Sequence, residues 1–153
     1  MKKKYALVTG GSRGIGRAIC QKLATMGYNV LINYRGNKQA ALETAELVEA
    51  CHVTAEIIGF DVANRAEVKA VLGKWIESNQ DAIIEILVNN AGVKNDSLLP
   101  MMNDTQWDAV IDTNLQGTYN VTRQVLNPRL MNRYGRIINI VSVSGLKGVA
   151  GQV

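Results

Sequence analysis

The chain has 153 residues, 47% apolar and 20% charged, the proportions of an ordinary soluble globular protein with a core of its own. Its formal net charge of +4 suits an anionic partner, such as nucleotide phosphates or an acidic carrier. No basic stripe with interleaved aromatics supports nucleic-acid binding, and no apolar run reaches the roughly 20 residues that span a membrane.

Two cysteines, Cys20 and Cys51, show no metal or redox spacing, and His52 is the only histidine. Disulfides, metal sites and His-based triads are therefore not expected, and the protein is read as cytoplasmic. The leader "MKKKYALV" breaks at Thr9-Gly10, too early for a signal peptide, and reads as three solvated lysines before a buried strand.

Strands and helices alternate along the chain. Tyr5–Thr9 is a continuous apolar run, as a strand buried on both faces should be. Ile15, Ile19, Leu23 and Met26 follow helical spacing from Gly14 to about Met26, where Gly27 stops the helix. Val30–Asn33 is a second strand. A polar helix from about Lys38 to Ala50 places Leu42, Ala45, Leu47 and Val48 inside.

Val53–Phe60 is a third strand, and a helix from about Arg65 to Ser78 turns Val68, Val71, Leu72 and Trp75 inward. Glu85–Val88 is a short fourth strand. Asn103, with Gln106 at the reciprocal position, caps a long helix. Trp107, Val110, Ile111, Asn114, Leu115, Thr118 and Val121 line one stripe of it, and Pro128 is expected to end or kink it. Arg136–Val143 is the fifth strand. This order predicts an α/β fold: a doubly wound parallel sheet with helices on both faces, forming one domain over residues 1–153.

The strongest local signal is "TGGSRGIG", Thr9 to Gly16, between the first strand and the first helix. Gly10 permits a sharp turn, Gly14 lets a pyrophosphate approach the backbone, and Gly16 lets the helix pack close. Free N–H groups and the positive end of the helix dipole then face the phosphates. Ser12, Arg13 and Ile15 complete the candidate cofactor loop. The spacing Gly-x-x-x-Gly-x-Gly differs from the commonest dinucleotide fingerprint.

NAD sites place an acid near the end of the second strand to bind the ribose hydroxyls. Here Asn33, Tyr34 and Arg35 occupy that place. Arg35, helped by Arg13, can clamp a 2′-phosphate, so NADP (NADPH) is the expected cofactor.

Four further pieces follow in order: Asp61-Val62 after the third strand, "NNAG" (Asn89 to Gly92) after the fourth, Asn114 in the long helix, and Ser142 at the end of the fifth strand. With the glycine loop, this set resembles the short-chain dehydrogenase/reductase family, and within it the 3-oxoacyl-[acyl-carrier-protein] reductases of fatty-acid biosynthesis. The resemblance implies an NADPH-dependent oxidoreductase with a Rossmann fold. It implies that Asp61 and Val62 hold the adenine, and that Asn89, Ala91 and Gly92 run beside the nicotinamide ribose.

Asp61 capping the next helix is the alternative to that role, and "NNAG" as a plain turn is the other. Asn114, an amide on a mostly apolar stripe, must find hydrogen-bond partners if buried; the resemblance makes it the holder of a relay water. Ser142, three residues before Gly145, becomes the hydroxyl that polarises the substrate carbonyl, with Ser144 as its competitor. Arg133, in the basic cluster Arg129, Arg133 and Arg136, becomes a docking residue for acyl carrier protein; a solvated helix end is the bland alternative.

The family also implies a homotetramer and a Tyr-x-x-x-Lys proton donor about a dozen residues beyond Ser142. The sequence stops at Val153, so it is expected to be a truncated or partly represented reductase without the last strands of the sheet. Tyr34 and Lys38 in "YRGNK" have that spacing but lie at the adenosine side, and are rejected as the donor. A different carbonyl substrate, or an inactive NADP-binding fragment, is the alternative.

Overall fold

A computed structural model describes residues 2–132, 134–148 and 151. Five strands, β1 (Lys3–Val8), β2 (Asn29–Tyr34), β3 (Ala55–Gly59), β4 (Ala82–Asn89) and β5 (Arg136–Asn139), form one parallel sheet. The order is β3-β2-β1-β4-β5, a doubly wound arrangement. The chain steps outward from β1 to β3, then crosses back over β1 to β4. Strand order reverses between β1 and β4, so loops diverge there and leave a crevice at the strands' carboxyl ends.

Side chains alternate across each strand and divide the core into two layers. On one face Ala6, Val8, Val30, Ile32, Ile86 and Val88 pack with α1 (Gly14–Thr25) and α2 (Lys38–Glu49). On the other, Tyr5, Leu7, Leu31, Ile58 and Leu87 pack with α3 (65–78) and α4 (104–132). No helix among the described residues is long and apolar enough to cross a membrane.

The helices depart from their expected faces in informative ways. In α1 the buried side is Gly16, Cys20, Leu23 and Ala24, while Ile15 and Met26 are exposed. In α2 it is Ala41, Thr44, Ala45 and Val48, a narrow i, i+3, i+4, i+7 arc. Leu42 and Leu47 flank that arc and are exposed, not inside.

Both α3 and α4 contain a π turn, at Val68–Leu72 and Ile111–Gln116. An i→i+5 turn holds one residue more than an α turn, so it displaces the face shown by every later residue by about 100°. The expected stripe on α4 is therefore broken from the π turn onward: Leu115 is 66% exposed, while Thr113, Asn120, Val121 and Val125 are buried; Trp107, before the turn, is also exposed. The Asn103–Gln106 capping box is present. Pro128 does not end α4, which runs on to Asn132.

Strand boundaries also shift by a residue or two, and by more at two places. β4 begins at Ala82, three residues before the charged Glu85. Glu85 is tolerated inside because its carboxylate pairs with Lys4 at 3.1 Å and accepts from the Tyr28 hydroxyl at 3.4 Å. β5 ends at Asn139, so Ser142 lies beyond the strand, at the start of a 3-10 turn, Val143–Gly145.

The half-buried Glu56 carboxylate joins the first and third strands to α3. It accepts from the Tyr5 hydroxyl at 2.6 Å and from Trp75 Nε1 at 2.8 Å. Burial and this carboxylate push the Tyr5 phenol well above its usual range.

Candidate active site

The site is built on the loop between β1 and α1. Gly10 takes φ +62°, donates its N–H to Asn33 Oδ1 at 3.2 Å, and so turns the chain sharply away from the sheet. Gly16 lies against that turn: a Cβ there would fall 2.2 Å from the Gly10 carbonyl oxygen. Only glycine lets α1 start this close to β1. Arg13 is the N-cap in extended conformation and makes no side-chain cap, and the first turn carries no acid. The N–H groups opening α1 thus keep their positive field for another anion.

Asn33, 2% exposed, ties this loop to the next two strands. Its Nδ2 donates to the Phe60 carbonyl at 3.0 Å and the Ile58 carbonyl at 3.3 Å while its Oδ1 receives Gly10. A third loop comes from β4. Asn90 Nδ2 donates to the carbonyls of Thr9 and Gly10 at 2.9 and 3.1 Å. The backbone N–H groups of Asn90 and Ala91 both reach Thr9 Oγ1.

These loops enclose a cleft of about 510 Å³ at the switch point. It gathers Gly10, Ser12, Arg13, Gly14, Ile15 and Gly16 from the first loop, Tyr34 and Arg35 after β2, Asp61 and Val62 after β3, and Ala91 and Gly92 after β4. Its charged linings are Arg13, Arg35 and Asp61, a net positive site. Asp61 lies 3.6 Å from Arg35 Nη1. It is not the cap of α3: Asn64 holds that position, and Asp61 Oδ1 instead accepts from the Ala63 N–H at 2.9 Å. Val62 is buried against Gly117, where a Cβ would fall 2.7 Å from Val62 Cγ2.

Asn89 is not among the cleft residues. It is buried, and its Nδ2 donates to Thr122 Oγ1 at 3.1 Å and to Asn139 Oδ1 at 2.9 Å, joining β4 to α4 and β5. The alternation of a strand turns Asn89 into the sheet and Asn90 towards the cleft. Phe60, Val93 and Thr113 line the site without having been expected there, and Asn33 and Asn90, which the sequence placed beside it without a role, line it as well. Asn33 and Asn90 had a usable signal: polar amides at the ends of apolar strands, where loop backbones need partners.

Asn114 is exposed, contrary to the buried position its helical spacing implies, because it sits within the π turn. It is nonetheless fully engaged. Its Oδ1 accepts from the Val93 N–H and its Nδ2 donates to the Val93 carbonyl, both at 2.9 Å. Ser142 Oγ accepts from the Ser144 N–H at 3.1 Å and lies 3.0 Å from Ser144 Oγ. It follows a strand parallel to β4 and so stands at the carboxyl end of the sheet, outside the lining of the cleft. Arg133 lies outside the described residues.

Comparison with known proteins places this arrangement. A sequence model described as short chain dehydrogenase matches residues 4–153. The chain is 45% identical over 149 residues to the 3-oxoacyl-[acyl-carrier-protein] reductase FabG of Staphylococcus aureus (strain Mu50 / ATCC 700699), covering 97% of this chain and 60% of that protein. It is 44% identical over 153 residues to Nodulation protein G of Azospirillum brasilense, covering 99% of this chain and 61% of that protein.

The crystal structure of a metagenomic short-chain oxidoreductase in complex with NADP superposes with a TM-score of 0.91 at 31% identity, over 99% of this chain and 67% of that one. The chain thus spans about three-fifths of the length of the curated relatives it matches. By its sequence and by its fold, the chain belongs to the short-chain dehydrogenase family.

Proposed function

We propose that the protein is an NADPH-dependent reductase of 3-oxoacyl thioesters carried by acyl carrier protein. The observation that carries this reading is the cleft: a glycine loop at the uncapped start of α1, flanked by Arg13 and Arg35, with no acid at the end of β2. The residues present fit the dinucleotide. Gly14 faces open space, with no atom within 4 Å of a Cβ built there, so the backbone is accessible to a phosphate. Arg13 and Arg35 stand where a 2′-phosphate needs cations, and Asp61 and Val62 border the same end of the cleft for the adenine. Identity to FabG, and the NADP complex of the structural relative, support the same cofactor and substrate class.

When bound, NADPH would supply a hydride to the 3-keto carbon, and the Tyr-x-x-x-Lys pair that the family places beyond Ser142 would supply the proton that completes the 3-hydroxyacyl product. Ser142 donates a hydrogen bond to the carbonyl oxygen and stabilises the alkoxide charge as it forms. To do so its proton turns away from Ser144, while the Ser144 N–H keeps Ser142 Oγ in place. Asn114 spends both amide atoms on Val93, so a relay water falls to its backbone carbonyl, which already accepts the Thr118 hydroxyl at 2.8 Å. Ala91 and Gly92, on the loop Asn114 fixes, border the nicotinamide end. Net charge +4 and Arg133 supply the attraction for an acidic carrier. The exposed Trp107, Leu115 and Tyr119 on α4 support a homotetramer.

The test is NADPH oxidation by the full-length protein with acetoacetyl-acyl carrier protein, against acetoacetyl-CoA, a steroid ketone and a keto sugar. The carrier thioester is expected to give the highest kcat/KM. Preference for a free ketone would move the protein to another reductase of the family. Ser142→Ala is expected to cut kcat about 100-fold or more while leaving NADPH binding intact. Binding of NADPH without turnover of any carbonyl would reduce the reading to a nucleotide-binding module.

A further inference from the structure

We infer that Arg17 is a positioning residue that sets the preference of the cleft for a 2′-phosphate. This rests on the NADP reading above and adds to it a residue that does not line the cleft. Arg17 sits in α1 and reaches across to α2. Its Nη2 donates to the Ser12 carbonyl at 2.9 Å, to the Ala40 carbonyl at 3.2 Å and to Glu43 Oε2 at 3.0 Å. Its Nε donates to Thr44 Oγ1 at 3.0 Å and approaches the Ser12 carbonyl at 3.3 Å. Thr44 is fully buried, and its hydroxyl lies 3.1 Å from the Ser12 carbonyl and 3.0 Å from the Ala40 carbonyl, between which its one proton is shared.

One guanidinium thereby joins the two chain segments that carry the arginines of the site. Ser12 precedes Arg13 directly, and its carbonyl is part of the Ser12–Arg13 peptide. Ala40 lies in the first turn of α2, whose N-cap Asn37 follows Arg35 and Gly36 in the cleft wall. A peptide is planar and trans, so pulling the Ser12 carbonyl towards α2 sends the Arg13 N–H the opposite way, out of the clamp. The direction in which Arg13 leaves the loop is therefore set from behind, by Arg17 and Thr44. The spacing between Arg13 and Arg35 is set by the same contact.

The chemistry requires arginine. Three N–H groups on two atoms of one planar fork, Nε and Nη2, are shared among two carbonyls, a hydroxyl and a carboxylate, a spread that a lysine ammonium, with all its donors on one atom, cannot match in geometry. A group that acted only through stability would weaken NADPH and NADH binding in the same proportion, because both dinucleotides use the same glycine loop. A group that sets the Arg13–Arg35 spacing acts on the 2′-phosphate, which NADH lacks.

The experiment measures dissociation constants of NADPH and NADH for the unsubstituted protein and for Arg17→Ala, Arg17→Lys and Thr44→Val. Arg17→Ala is expected to weaken NADPH about tenfold and NADH by less than about twofold. Arg17→Lys restores charge without the fork and is expected to recover only part of the NADPH loss. Thr44→Val, which leaves Arg17 in place, is expected to lower the NADPH:NADH preference by about threefold.

Equal weakening of both dinucleotides, or full recovery with lysine, overturns the inference. If Arg17→Ala does not fold, an unchanged preference in Arg17→Lys and Thr44→Val overturns it. An unsubstituted protein that binds NADH as well as NADPH overturns the NADP reading itself and this inference with it. A preference for NADPH that survives in every variant overturns the inference alone.

Discussion

Asn114 and Val93 are joined by two hydrogen bonds of 2.9 Å, one in each direction between a side-chain amide and a single residue's backbone. The pair fixes the loop after β4 to the π turn of α4, and thereby sets the wall of the cleft that holds Ala91 and Gly92. Asn114→Ala is expected to lower stability by about 1 kcal/mol, the scale of such exposed bonds. The larger effect is local: the Val93 amide should exchange with solvent faster than its neighbours in β4. Asn114→Asp keeps the acceptor for the Val93 N–H but sets a carboxylate oxygen against the Val93 carbonyl, and should be worse than alanine above the carboxyl pKa. Unchanged Val93 exchange in both variants would mean that the loop is held by other contacts.

The same residue shows where sequence reading reaches and where it stops. That Asn114 needs partners follows from its chemistry. That it is exposed does not follow from helical spacing, because the π turn at Ile111–Gln116 depends on how α4 packs and leaves no periodic mark. The glycine loop was legible because Gly10 and Gly16 answer backbone demands that no other residue meets. Asn89 and Asn90 look alike in the sequence, yet strand alternation sends one into the sheet and the other to the cleft. Arg17 was not legible at all: its partners are largely main-chain carbonyls and side chains of a different helix, and no motif spacing encodes them.

Gly16 makes a sharper claim. A Cβ there would sit 2.2 Å from the Gly10 carbonyl oxygen and 2.6 Å from Asn90 Nδ2. Neither neighbour can yield easily: one is backbone, and the other donates to Thr9 and Gly10. Gly16→Ala is expected to cost about 3 kcal/mol and to abolish dinucleotide binding by forcing α1 away from β1. Gly148→Ala, where a Cβ meets nothing within 4 Å, is the control and should change neither property. Chemical denaturation and a binding titration on the two variants decide it; a Gly16→Ala protein that binds normally would show that the loop relaxes freely.

Arg35 tests the electrostatic side of the same cleft. Its guanidinium is exposed and lies 3.6 Å from Asp61, so much of its charge remains available to a bound anion. Arg35→Asp should weaken NADPH at least about tenfold and strengthen NADH, since a carboxylate after β2 suits two ribose hydroxyls and repels a phosphate. The NADPH affinity of the unsubstituted protein should fall with added salt, and that of the variant should fall less. Equal NADPH affinity in the two proteins would place the 2′-phosphate elsewhere.

Cys20 gives the stability a pH dependence. Its side chain is fully buried beneath the glycine loop, and burial pushes the thiol up to about 12. In the unfolded chain the same thiol ionises from about pH 8.5. The folded form therefore retains a proton that the unfolded form releases. The resulting contribution to stability is complete below about pH 8.5 and is lost as pH rises through the folded value, by up to about 1.4 kcal/mol per unit. The Tyr5 phenol, raised by burial and by Glu56, adds a loss of the same sign at higher pH. Cys20→Ala should flatten the decline between about pH 9 and 11, measured by urea unfolding at fixed ionic strength, at the cost of a small cavity. In the native protein at pH 8 a thiol reagent should modify the partly exposed Cys51 and spare Cys20 until denaturant is added. Prompt native-state labelling of Cys20, or an identical alkaline decline in Cys20→Ala, would show that α1 opens beneath the loop far more readily than its packing implies.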